Sequence, residues 1–115
     1  MGLLNKVLGK KDVVVNGKQH VSTFTESFKE SFGTEIRVYK SLNTGRGSKR
    51  ADPKQTLASI CERKVEGIVI KKSHTVGQIE ETFKNKMGIG IQIMLPDGKE
   101  FAPNGMRLKD VSNVS

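Results

Sequence analysis

One apolar pattern occurs twice in this chain, fifty-five positions apart. In the later copy, Val76, Ile79, Phe83 and Met87 are followed by Gly88 and then by Ile91 and Ile93. Subtracting fifty-five gives Val21, Phe24, Phe28, Phe32, Gly33, Ile36 and Val38. Upstream, Ile68-Val69-Ile70 fall on Val13-Val14-Val15. Downstream the register slips by four, so that Leu108 and Val111 fall on Leu57 and Ile60. Spacings of three and four mark the buried stripe of a helix, a glycine suits its left-handed stop, and alternation marks a strand.

This pattern predicts helices over 22–32 and 75–87, strands near 12–15, 35–40, 67–71 and 89–95, and short helical turns at 56–60 and 108–111. Thr75 with Gln78 makes a capping box, and Thr23 with Glu26 offers another in the first helix. Asn16-Gly17 and Pro96-Asp97-Gly98 are turns. Units of about 50 residues bury too little surface to stand alone, so the two must share a core. The expected fold class is α+β: tandem duplicated βαβ(β) units forming a mixed sheet, with both main helices packed on one face. The domain spans 12–115, as repeats 12–64 and 65–115, behind a basic segment 1–11.

The order helix, glycine, strand, Asp97-Gly98 turn, short strand and leucine turn resembles the second half of a β-grasp, ubiquitin-like fold. The resemblance covers 66–111 and, less cleanly, 12–61. The chain is also similar to small bacterial proteins with two such repeats, a likeness that implies no activity. Val111-Ser112-Asn113-Val114-Ser115 lacks the Gly-Gly tail of ubiquitin-type modifiers, so conjugation chemistry does not carry over. A ferredoxin-like arrangement is the alternative.

The net charge of +8 is uneven. Lys6, Lys10 and Lys11 contribute +3, and Lys40, Arg46, Lys49, Arg50 and Lys54 against Asp52 contribute +4, which leaves +1 for everything else. A local basic patch attracts nucleic acid, anionic lipid or an acidic protein. Leu3, Leu4, Val7 and Leu8 share one helical face beside the N-terminal lysines. That segment reads as a docked helix, a frayed tail or a membrane-surface contact, in that order of preference. Lys6 stands where a myristoylation signal wants Ser or Thr. No apolar run approaches the length of a membrane span, and a single cysteine fits a reducing cytoplasm.

Catalytic patterns are not found. Cys61 sits in no local motif, and His20 and His74 lack the cysteines or carboxylates of a metal site. Gly45-Arg46-Gly47-Ser48-Lys49-Arg50 lacks the spacing of a phosphate-binding loop. No enzyme activity, cofactor, metal or small-molecule substrate is expected. Strand alternation instead places Val14, Arg37, Tyr39, Val69, Lys71, Gln92 and Met94 on one open sheet face. The expected partner-binding residues are Arg37, Tyr39, Arg46, Lys49, Arg50, Lys71, Gln92 and Met94. Protein–protein association or a homodimer is the first reading of that face. RNA or single-stranded DNA, bound by the face and the 43–51 loop, is the second.

Overall fold

The computed structural model describes residues 11–44, 47–61 and 67–114, so the reading of segment 1–11 lies, but for Lys11, outside the described residues. The elements run β1 (Val13–Val15), α1 (Val21–Phe32), β2 (Ile36–Val38), α2 (Leu57–Ile60), β3 (Ile68–Ile70), α3 (Val76–Met87), β4 (Ile91–Ile93) and α4 (Leu108–Val111). The mixed α+β class is as expected.

Both long helices form for the reasons visible in their spacing. Val21, Phe24, Phe28 and Phe32 are buried along α1, as are Val76, Ile79, Phe83 and Met87 along α3. Each helix ends on a glycine with φ near +70°, Gly33 at 74° and Gly88 at 70°. A side chain disfavours that conformation. The Thr75–Gln78 capping box closes in both directions. The box expected at Thr23 does not form, because α1 begins at Val21 and Thr23 is already inside it; His20 is the N-cap and makes no side-chain bond there.

The single mixed sheet is replaced by two separate two-stranded antiparallel sheets among the described residues, β1 with β3 and β2 with β4. Val14 stands opposite Val69, and Arg37 opposite Gln92. Since 14 + 55 = 69 and 37 + 55 = 92, each strand pairs with the strand at its own place in the other half. The register has a packing reason. It turns Val13, Val15, Ile68 and Ile70 to one side, and Ile36, Val38, Ile91 and Ile93 likewise, and all eight are buried. Segments 49–51 and 100–102 then flank the second sheet. Tyr39 bridges Arg50 and Met94 bridges Phe101, while the Ala51 N–H donates to the Val38 carbonyl (2.9 Å) and Ala102 to Ile93 (2.8 Å).

Other backbone bonds recur in the same way. Val21 donates to the Gln55 carbonyl and Val76 to Met106, both at 2.8 Å; Tyr39 donates to Gly90 (3.0 Å) and Met94 to Glu35 (2.9 Å). Partners before the loop at 40–49 shift by 55, and those after it by 51. The core lies between the helices and the inner strand faces. Phe24 meets Phe28 at 6.4 Å and Phe83 at 5.7 Å between ring centroids, and Phe28 meets Phe32 at 5.0 Å.

Phe28 and Phe83 have no exposed surface. Replacing either by Ala should cost about 3–5 kcal/mol, a large part of the stability of a small domain. Thermal melting checks this, and an unchanged midpoint for either variant would contradict the core assignment.

Candidate partner-binding face

Alternation along β2 and β4 turns Arg37 and Gln92 away from the main core, with Glu35, Tyr39 and Met94 continuing the same parity. The face is not open, and this corrects two of the expected contacts. Tyr39 is 5 % exposed and Met94 fully buried, although neither belongs to the main hydrophobic cluster. The chain folds back over them. Gly90 N–H donates to the Ser41 carbonyl at 2.9 Å, and Gln92 Nε2 donates to the Thr44 hydroxyl at 3.0 Å. From the other side, Arg37 Nη2 donates to the Gly98 carbonyl at 2.9 Å, and the buried Thr34 hydroxyl donates to the Met94 carbonyl. Two apolar side chains on a face of this kind are removed from water by covering it, which burial of that much apolar area favours.

What stays accessible is a depression lined by Arg37, Arg50, Phe101, Thr44 and Ser48 over the edge of Tyr39. Phe101 is 52 % exposed. The Glu35 carboxylate lies 3.1 Å from Arg37 Nε and 3.6 Å from Arg50 Nη1. Ion pairs this exposed add little stability. Their effect is to hold two guanidinium groups at one carboxylate oxygen, with Arg37 further fixed by the Gly98 carbonyl.

Of the expected residues, Arg37 and Arg50 are therefore brought together, with the exposed Lys49 beside them and Gln92 half-buried next to Arg37. Arg46 lies outside the described residues. Lys71 is exposed but follows β3, on the other sheet, so it does not join this group. That other sheet presents its own apolar pair, Val14 (55 % exposed) opposite Val69 (38 %). The single face expected from alternation is thus two faces, because the strands form two sheets. Phe101 and Glu35 were not among the expected residues. The signal for Phe101 was present: pairing across the Pro96-Asp97-Gly98 turn sets it opposite Met94, on the parity of Gln92.

The remaining titratable groups show no convergence. Among the described residues no three His, Cys, Asp or Glu side chains gather in a way that could hold a metal ion. His20 is exposed, and His74 Nδ1 accepts from the Lys71 N–H at 3.1 Å, closing a turn. Cys61 packs against the core, and burial pushes its thiol up to about 11. This is the opposite of an activated thiolate. Burial also raises the Glu80 carboxyl, which lines a small recess with Leu42 and Thr44. No helix in the described residues is long and apolar enough to cross a membrane.

No protein-family model, no curated protein and no solved structure matches the chain.

Two outcomes follow from this geometry. A Cβ added at Gly90 would collide with the Thr44 methyl and lie 2.9 Å from the Leu42 carbonyl oxygen. Gly90→Ala should therefore displace the 41–44 stretch, seen as faster exchange of the amide at position 90 and as a lowered melting point. Cys61 should react with a disulfide reagent at pH 8 more slowly than a free thiol, and at the ordinary rate once the chain is denatured. Its folded pKa lies above the ordinary value of 9.0. Its contribution to stability is therefore complete below pH 9 and lost as pH rises through about 11, a decline that Cys61→Ser should remove from a denaturation series.

Proposed function

We propose that the protein is a non-catalytic binding module, made of two equivalent units in tandem, that associates with a protein partner or a second copy of itself. The contact surface in this reading is the depression where Arg37, Arg50 and Phe101 meet. The observation that carries it is the exposure of Phe101 next to two oriented guanidinium groups. Aromatic and arginine side chains are the residues that dominate interface energetics, most of all around a concavity. Lys49 and the rest of the basic loop add long-range attraction for an acidic partner, which speeds encounter more than it strengthens the final complex. A cytoplasmic setting suits a chain with a single cysteine.

A second reading has support from the same ring. An exposed aromatic beside Arg37 and Arg50 can stack a base while the guanidinium groups and Lys49 meet phosphates, as in proteins that bind RNA or single-stranded DNA. Phe101 takes the stacking role that Tyr39 is too buried to play.

Sedimentation of the purified chain, with its absorbance ratio, separates self-association from co-purifying nucleic acid. For a protein partner found by pull-down, changing Arg46, Lys49 and Arg50 together to Ser should slow association and flatten its salt dependence. Phe101→Ala should speed dissociation by about tenfold or more, as for a central interface aromatic. For nucleic acid, affinity should fall steeply with salt, and the triple change should reduce that slope. A partner whose binding neither change alters would remove this reading.

A further inference from the structure

The loop after β2 runs from Lys40 to Lys49 and the loop after β4 from Leu95 to Glu100, ten residues against six. The longer one reaches the opposite half. Its Ser41–Thr44 stretch lies across Gly90, held by the Gly90 N–H to Ser41 carbonyl bond and by Gln92 on Thr44. There Leu42 and Thr44 close a groove whose other walls are Glu80 and Lys84 of α3 with Gly90 and Ile91 of β4. Subtracting fifty-five from those four positions gives Thr25, Lys29, Glu35 and Ile36. All four line the groove between α1 and β2.

Among the described residues the 95–100 loop does not line that matching groove, whose third wall is Arg50, Ala51 and Pro53. The six-residue loop stops at the rim, where the Gly98 carbonyl accepts from Arg37 at 2.9 Å and Gly98 lies beside the Glu35 carboxylate. The space left in the filled groove is about 110 Å3, and in the open one about 350 Å3. The filled groove therefore displays the kind of ligand its counterpart lacks: a bent, non-strand stretch that presents a branched aliphatic and a threonine side chain. Two differences adjust that ligand. Glu35 carries the Cβ that Gly90 lacks, so an occupant runs further from the strand and is gripped more by side chains. The lining charges are Lys29, Arg37 and Arg50 against Glu26 and Glu35, a balance of +1, which favours an acidic occupant.

We propose that the groove between α1 and β2 binds a segment of a partner protein bent as Ser41–Thr44 is, with a Leu-x-Thr core flanked by acidic residues. The proposal rests on the binding-module reading and names the partner's chemistry.

The test is a titration of the full-length, 15N-labelled chain with the synthetic peptide Asp-Ser-Leu-Asn-Thr-Asp, followed by NMR. Saturable shifts are expected at the amides of Thr25, Lys29, Glu35 and Ala51, with those of Glu80 and Lys84 unmoved. A peptide with Gly in place of both Leu and Thr should bind about tenfold more weakly, a loss of about 1.4 kcal/mol. Thr25→Trp should fill the groove and abolish saturation. Lys29→Glu, an exposed change that keeps the fold, should weaken the acidic peptide severalfold. Phe101→Ala lies outside the groove and should leave the titration unchanged, which separates failure of the groove from failure of the Arg37–Phe101 face. The proposal is overturned by no saturable shift at millimolar peptide, or by shifts indifferent to the Gly peptide and to Lys29→Glu. It is also overturned if the groove amides shift with protein concentration alone, which makes a second copy the occupant. The same holds if they shift on deleting residues 1–10, which makes the chain's own N-terminal segment the occupant.

Discussion

The contact of Phe24 with Phe83 joins the two halves of the molecule, and the rest of the structure depends on it. Each half has one twelve-residue helix and two three-residue strands. Strands so short form almost no ladder by themselves, and a helix packed on two such strands buries too little to stand alone. Placing the two phenylalanine-bearing faces together supplies a common core. Antiparallel pairing of each strand with its counterpart then seals that core on the side away from the helices.

Much of this was legible in the residues. The helix stripes, the two glycine stops, the Thr75 cap and the inward-facing strand positions all rest on local spacing, and all are where the spacing puts them. Strand partnership was not legible. A βαβ pattern suggests a parallel pair within each unit, whereas the register chosen is the one that buries the eight inward-facing Val and Ile residues and leaves Val14 and Val69 outside. Which strands meet is decided by packing between distant segments, and no window of sequence contains that choice.

The candidate site shows the same division. Arg37, Arg50 and Lys49 were found from charge and alternation, and they do lie near one another. Tyr39 and Met94 have the right parity and the wrong environment, because the loops that follow them turn back across the sheet. Loop paths depend on a few contacts, here the Gly90 N–H, the Gln92 amide and the Gly98 carbonyl. None of these leaves a periodic trace. Phe101, by contrast, was within reach of pairing arithmetic across a four-residue turn.

The pairing of Val14 with Val69 and of Arg37 with Gln92 also bears on how the chain reaches its native state. Every rung of both ladders joins residues more than fifty positions apart, with Val13 on Ile70 and Ile36 on Ile93 as the widest. The contact order of the sheets is therefore high for so small a protein, and closing the long loop must precede any ladder that rewards it. During synthesis the apolar stripe of α1 has only β1 and β2 to pack against until α3 and α4 have left the ribosome. The first half is expected to wait as an exposed, incomplete surface, and the interval before the second half arrives is when the chain is most open to aggregation or to capture by a chaperone.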